Sequence, residues 1–319
     1  MMDIAAAAFW ASVALLLYTY AGFPLLLMLV AAARRRAGVR KGEVTPKVSL
    51  IVAAYNEEES VARRLENALS SDYPAPHLEV VLASDGSTDA TESIAACYDA
   101  SGVRLLRLPR RGKIYALEDA ARRATGELLV FSDANTLMEK QALRAMASNF
   151  ADPSVGGVVA NTGYRLGAGT ESSGRGESLY WRYDQWIKRL ESHTGSVVSA
   201  HGGLYAIRKE LFQMPPDRAV TDDFAISTAV VEQGYRLVFE PEARAWEGTA
   251  ENASGEFGRR VRLTTRGLRA VWMRRKLFNP LRYGFYSVSL LTHKVLRRVL
   301  PLGLIALLVA SVPLSAASA

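Results

Sequence analysis

Four short apolar runs, Val48–Ala54, Leu78–Ser84, Val103–Leu108 and Leu128–Ser132, each break off into polar residues, and stretches of helical spacing (Glu57–Leu69, Asp89–Tyr98, Lys113–Ala124) lie between them. Runs this short and apolar are buried strands, and their alternation with helices folds as a parallel sheet covered by helices. The fold class is therefore α/β. Strands of such a sheet point the same way, so the polar residues at their ends gather at the carboxyl edge, where ligands bind.

The fourth run sits in Glu127–Thr136, ELLVFSDANT. In an extended segment alternate side chains share a face, so Asp133 and Asn135 can turn their oxygens toward one ion. A hard divalent cation holding a diphosphate needs only one or two protein oxygens. A strand followed by an Asx turn accounts for the same residues without any ion.

The other strand ends carry similar pairs of readings. The first leaves into Ala54-Tyr55-Asn56-Glu57-Glu58 and the second into Ser84-Asp85-Gly86-Ser87-Thr88-Asp89. Gly86 permits a tight turn, and Ser87 or Thr88 can cap the next helix. Asp85 stands before that turn, where its carboxylate can accept a base N–H while Tyr55 stacks on the same base. Arg110-Arg111-Gly112-Lys113 precedes the third helix. Such runs are commonly solvated, but Lys113 near a helix N-terminus offers charge to a phosphate. In Ser199–Arg208, Gly202 and Gly203 allow close approach of backbone to a sugar or acceptor, and His201 reads as structural. Thr221-Asp222-Asp223 caps a helix over Phe224–Gln233, or provides a general base for an acceptor hydroxyl. Arg259, Arg260, Arg262 and Arg266 form either a basic helix face or a set of arginines that neutralises a leaving diphosphate.

Composition narrows the classes. One cysteine, Cys97, excludes an intrachain disulfide, and four scattered histidines argue against zinc. The balance of 39 basic to 32 acidic residues, net +7, suits nucleic acid, an anionic membrane face or a phosphate-bearing substrate. Nothing beyond charge favours nucleic acid, and no nucleic-acid partner is expected.

Two stretches favour the membrane. Ile4–Ala33 has no charged residue and is longer than the roughly 20 residues a spanning helix requires. It is too long for a signal-peptide core and lacks a basic leader. Arg34, Arg35, Arg36, Arg40 and Lys41 follow it, and Lys294, Arg297 and Arg298 precede a second apolar stretch, Val299–Ser318. By the positive-inside rule both clusters lie in the cytoplasm. The basic and aromatic Gly267–Lys294 segment suits a helix in the membrane interface. The expected organisation is a transmembrane segment (1–33), a cytoplasmic domain (44–250), a basic amphipathic interfacial segment (251–298) and a second transmembrane segment (299–319). A Gly/Ser-rich loop is expected over Gly167–Gly176.

Taken in order, AYNEE, SDGSTD, RGK followed by Ala-Leu, SDAN, GGLYAIR, TDD and the arginine cluster resemble glycosyltransferase family 2, over roughly Val48–Arg266. With its flanking apolar segments the chain looks like the membrane-bound bacterial branch related to cellulose and hyaluronan synthases. The resemblance implies a glycosyltransferase A-type fold and an inverting enzyme. It would move a sugar from a UDP-sugar to a membrane-associated acceptor, lipid-linked or saccharide, in bacterial polysaccharide or glycoconjugate synthesis. Tyr55, Glu57 and Asp85 would hold the nucleotide, with Asp85 reading uracil. Lys113 and Arg262 would face the phosphates, Asp133 and Asn135 would hold Mg²⁺ or Mn²⁺, and Asp223 would be the catalytic base. Asp222, Gly202 and Gly203 would lie on the acceptor side. The inner membrane, with the catalytic domain in the cytoplasm, is the implied location, and partner membrane subunits are compatible with it. Two positions depart from the family pattern. Asn135 replaces a second Asp, and Arg259 and Leu263 replace the Gln and Trp of QxxRW, leaving Arg262. The second departure, with at most one span after the domain, weighs against processive extrusion. Alternatives are a polyprenyl-phosphate glycosyltransferase, a processive polysaccharide synthase subunit and an inactive nucleotide-binding membrane scaffold.

Overall fold

The computed structural model describes residues 2–34, 38–165, 171–248 and 253–318. It divides into two units, Ala37–Arg274 and a second made of Met1–Arg36 with Arg275–Ala319. In chain order the helices are α1 (Met2–Leu17), α2 (Phe23–Arg34), α3 (Val61–Leu69), α4 (Thr91–Ala96), α5 (Lys113–Arg123), α6 (Ala142–Ser148), α7 (Glu171–Thr194), α8 (Asp222–Glu232), α9 (Ala253–Met273), α10 (Pro280–Tyr283), α11 (Phe285–Leu291) and α12 (Arg297–Ser318). The strands are β1 (Val48–Ala54), β2 (Leu78–Asp85), β3 (Val103–Leu108), β4 (Leu128–Asp133), β5 (Thr136–Met138), β6 (Val155–Arg165), β7 (Leu204–Arg208) and β8 (Arg236–Gly248).

The larger unit is built on one eight-stranded sheet in the order β3-β2-β1-β4-β7-β6-β8-β5. The four runs read from the sequence are its first four strands and pair in parallel, with Ala54 opposite Ser84 and Ala53 opposite Asp133. Helices cover both faces, so β1 and β4 are buried along nearly their whole length, which is why they read as continuous apolar runs. The sheet is mixed rather than wholly parallel. Beyond β4, β7 runs antiparallel to both β4 and β6, and β5 runs antiparallel to β8. Antiparallel pairing turns β7 end for end, so the residues before it, rather than after it, reach the carboxyl edge of β4.

α3 begins at Val61, four residues later than expected, because Asn56 takes a positive φ of 53° and Glu57–Glu59 turn before the helix starts. Its buried residues, Val61, Arg64, Leu65 and Ala68, keep the i, i+3, i+4, i+7 spacing of one helix face. Of the expected Gly/Ser-rich loop, residues 166–170 lie outside the described residues, and from Glu171 the chain is helical. α9 belongs to this unit. Arg274, just beyond α9, pairs with Glu232 and donates from Nη2 to Ala225 O of α8 at 2.9 Å, while Arg269 meets Asp217 at 3.0 Å.

In the smaller unit, residues 3–33 and 285–312 are two helices long and apolar enough to cross a membrane. The second begins at Phe285, before the expected Val299, because a π turn at Thr292–Leu296 joins α11 to α12 without a break. The two helices run antiparallel. Phe23 stacks on Phe285 and Tyr18 Oη lies 3.1 Å from Thr292 Oγ1, and further along Leu15 sits 3.4 Å from where a Cβ on Gly303 would be. Their outward side chains, among them Leu29, Leu302, Leu308 and Val312, are apolar and exposed. Arg35 and Arg36 lie outside the described residues.

Candidate functional site

The first two strand ends are tied together before any ligand arrives. Asn56 N donates to Ser87 Oγ at 3.2 Å, and Thr88 N donates back to Asn56 Oδ1 at 2.9 Å. Glu57 N donates to Thr91 Oγ1, Glu58 N to Asp89 Oδ2, and Ala90 N to Glu58 Oε2. Backbone N–H groups that would otherwise be orphaned at two turns are satisfied across the gap between β1 and β2. Glu57 itself accepts from Ser60 Oγ at 2.6 Å. The carboxylate expected to hold the nucleotide therefore caps its own turn.

Asp85 is the anchor of the next turn. It is buried, and its oxygens accept from Arg111 N at 2.9 Å and from Gly112 N at 3.0 and 2.9 Å, and from the Arg110 guanidinium. Gly86, at φ 67°, makes this possible, since a Cβ there would lie 2.8 Å from Arg110 N. Arg110 also lies over the Tyr55 ring, 3.4 Å from its centroid. Tyr55 and Asp85 thus face one another across a planar group, the geometry expected for a base.

At the end of β4, Lys113 Nζ stands 2.7 Å from Asp133 Oδ1 and 3.0 Å from Asp222 Oδ2. Lys113 opens α5 and Asp222 opens α8, so two helix N-termini and one strand end meet at this point. Burial alone would lower the Lys113 pKa, but Asp222 and Asp133 override it and hold the ammonium above the ordinary lysine value. Gly202 closes the cluster, and a Cβ on it would lie 3.2 Å from Asp133 Oδ2 and 3.8 Å from Lys113 Nζ. At the next residue, Gly203, a Cβ would lie 2.5 Å from Glu247 Oε1 and would have to displace that side chain. Asp223 accepts from Phe224 N at 2.7 Å within the first turn of α8. Tyr205, on β7, is buried against this group. Burial raises its pKa, and the charges of Asp222, Asp223 and Asp133 raise it further.

Most of the expected residues therefore converge in two groups along one sheet edge: Tyr55 with Asp85, and Lys113, Asp133, Asp222, Asp223, Gly202 and Gly203. Two stand apart. Asn135 lies in the exposed turn between β4 and β5, so strand alternation does not aim it alongside Asp133. The strand stops at Asp133, opposite Ala53 of β1, and the chain turns at Ala134 and Asn135. Arg262 is exposed on α9 and makes no hydrogen bond or ion pair with the cluster among the described residues, and the side chains of Arg259 and Arg260 are outside them. Three participants were not foreseen. Arg110 read as part of a basic run that is commonly solvated, and Tyr205 carried no role within Ser199–Arg208. Arg64 is wholly buried with Nε and Nη2 lacking partners among the described residues, and burial lowers its pKa to about 10 against the raising effect of Asp133. The helical spacing from Val61 to Ala68 would have found Arg64.

Among the described residues no three His, Cys, Asp or Glu side chains converge to hold a metal by themselves. The donor set fits a different arrangement, in which one or two protein oxygens and a substrate diphosphate share a divalent ion. Asp133 Oδ2, on the Gly202 side, is the oxygen at this strand end that such an arrangement could use.

A family model described as glycosyl transferase family 2 matches residues 49–214. The poly-beta-1,6-N-acetyl-D-glucosamine synthase of Staphylococcus aureus (strain COL) is 29% identical over 225 residues, 67% of this chain and 53% of that protein. Its counterpart in Staphylococcus epidermidis is 28% identical over 238 residues, 70% and 56% of the two chains. The chain spans about half the length of these curated relatives. Among solved structures, a mannosyltransferase of Pyrobaculum calidifontis in complex with GDP-Man and Mn²⁺ superposes with a TM-score of 0.75 at 24% identity, covering 95% of this chain and 87% of that one. Staphylococcus aureus TarS 1-349 in complex with UDP-GlcNAc gives a TM-score of 0.50 at 18% identity, covering 82% and 79%. These structural likenesses identify the fold.

Proposed function

The chain belongs to glycosyltransferase family 2 and has the glycosyltransferase A-type fold, and from that premise we propose that it is an inverting enzyme using a UDP-sugar. Its acceptor is membrane-associated, and its product enters a bacterial polysaccharide or glycoconjugate. The observation that carries this reading is the Lys113 ammonium held between Asp133 and Asp222 at the sheet's carboxyl edge, beside the Tyr55–Asp85 pair. A nucleotide lying along that edge puts its base at one group and its diphosphate at the other.

Asp85 favours uracil. A carboxylate offers about four acceptor positions. Arg111 N and Gly112 N use three of them through fixed backbone, leaving only the one that Arg110 holds. Uracil presents a single ring N–H between two carbonyls and needs one acceptor. Guanine presents two adjacent donors and needs both oxygens. The relatives named as N-acetylglucosamine polymer synthases support polysaccharide synthesis and make UDP-N-acetylglucosamine the first donor to test.

Asp223 is the base. Asp222 is committed to Lys113, whereas Asp223 stands beside it at the mouth of α8. The acceptor hydroxyl gives its proton to the Asp223 carboxylate as its oxygen bonds to the anomeric carbon from the face opposite UDP. The bond from that carbon to the β-phosphate oxygen breaks with its electron pair on UDP, and configuration inverts. Lys113 offers positive charge to the departing diphosphate. Asp133, together with the substrate diphosphate, would hold Mg²⁺ or Mn²⁺, which when bound adds further charge at the diphosphate. The domain lies in the cytoplasm, anchored to the inner membrane by the two apolar helices.

Asp223→Asn is expected to abolish sugar transfer while leaving the UDP dissociation constant within a few-fold of wild type. Wild-type transfer in the variant would remove Asp223 from the base role. Transfer that survives the change but requires a lipid phosphate would support the polyprenyl-phosphate reading, because a phosphate nucleophile is already ionised.

A further inference from the structure

The end of the site read as the nucleobase position is filled by a side chain of the protein itself. The Arg110 guanidinium lies over the Tyr55 ring with its central carbon 3.4 Å from the ring centroid, and one of its N–H groups donates to Asp85 Oδ2. A guanidinium is planar and delocalised and stacks on an aromatic face much as a base does. A uracil held by the same two residues makes the same two contacts, a plane against Tyr55 and one N–H against Asp85. Both cannot be present together. We propose that Arg110 is an internal occupant of the nucleobase subsite, displaced when the nucleotide binds, and that it thereby sets nucleotide affinity. The proposal rests on the reading of Tyr55 and Asp85 as that subsite.

The local geometry makes the exchange feasible. Asp85 is 3% exposed, and beside the Gly112 N–H its Oδ2 has a place for one further donor, whose loss at a buried carboxylate is costly. Arg110 supplies that donor in the free protein and the base supplies it in the complex. The Arg110 side chain is 51% exposed on its outer side and can swing into solvent. Its backbone cannot follow, because residue 110 is pressed against Gly86 and the next two N–H groups remain on Asp85. The loop stays in place while the guanidinium leaves.

Nucleotide then binds only the fraction of molecules whose subsite is vacated, and the apparent dissociation constant rises in proportion. A half-exposed ion pair together with a cation–π contact favours the occupied form by roughly three- to thirtyfold. The experiment is calorimetric titration of the full-length protein in detergent with UDP, for wild type, Arg110→Ala, Arg110→Lys and Tyr55→Ala. Arg110→Ala should bind UDP roughly three- to thirtyfold more tightly, with Arg110→Lys between it and wild type because an ammonium lacks the plane and the fork. Unchanged or weaker binding by Arg110→Ala would overturn the proposal, weaker binding marking Arg110 as a direct ligand. Tyr55→Ala reports on the underlying reading, for which it should weaken UDP binding at least tenfold. If it does not, the base subsite is misplaced. If it does and Arg110→Ala binds no more tightly, only the role of Arg110 fails.

Discussion

Arg64 shows what a single residue can and cannot disclose. Its place on the buried face of α3 follows from counting threes and fours from Val61, and the structure places it there with no exposed surface. What the count cannot supply is the consequence, a cation without full partners under the strand end that carries Asp133. A buried charge of this kind costs stability, while its field acts on Asp133. Replacing it with an apolar side chain of similar length removes both effects. Arg64→Met is expected to leave the melting temperature unchanged or higher, and to lower kcat/KM roughly tenfold, about 1.4 kcal/mol in activation free energy. Unchanged turnover would confine Arg64 to packing. Arg110 was illegible for the opposite reason. Its partners, Tyr55 and Asp85, lie at the ends of β1 and β2, far from it in sequence, and no local pattern separates a stacked arginine from a solvated one.

At the scale of elements, legibility followed locality. The four parallel strands and their helices are each written in a dozen or so residues, and their boundaries fell within one residue for the strands. β6, β7 and β8 carry no such signature, because their partners are set by tertiary packing and the antiparallel turn of β7 leaves no trace in local spacing. Yet that reversal is what delivers Gly202 and Gly203 to Asp133. The strand-alternation argument for Asn135 failed at a similar point, where β4 ends and a turn begins. The β2 turn itself rests on Gly86. A Cβ at φ 67° is strained by about 1–3 kcal/mol, and here it also meets backbone that cannot move aside. Gly86→Ala should lower the melting temperature by several degrees and weaken UDP binding at least tenfold, by lifting the 110–112 loop from Asp85. Binding within twofold of wild type would show that the loop's seat on Asp85 does not shape the subsite.

At the scale of the whole molecule, the order of motifs identified the family while no one motif did, since each is also a cap, a turn or a solvated run. The two apolar helices were legible from length and composition, though not the π turn that lets the second start at Phe285. The larger unit carries the sheet edge with both residue groups, and the smaller unit carries the apolar helices. Donor chemistry is therefore assigned to the larger unit alone. The most direct measurement is release of the nucleotide from a panel of UDP-sugars and GDP-mannose by the purified full-length protein, with and without Mn²⁺. Release of UDP from one UDP-sugar, increased by Mn²⁺ and absent with GDP-mannose, is the expected result. Release from GDP-mannose alone, or failure to bind UDP at all, would contradict the assignment of Tyr55, Asp85 and Asp133 to a UDP-sugar site.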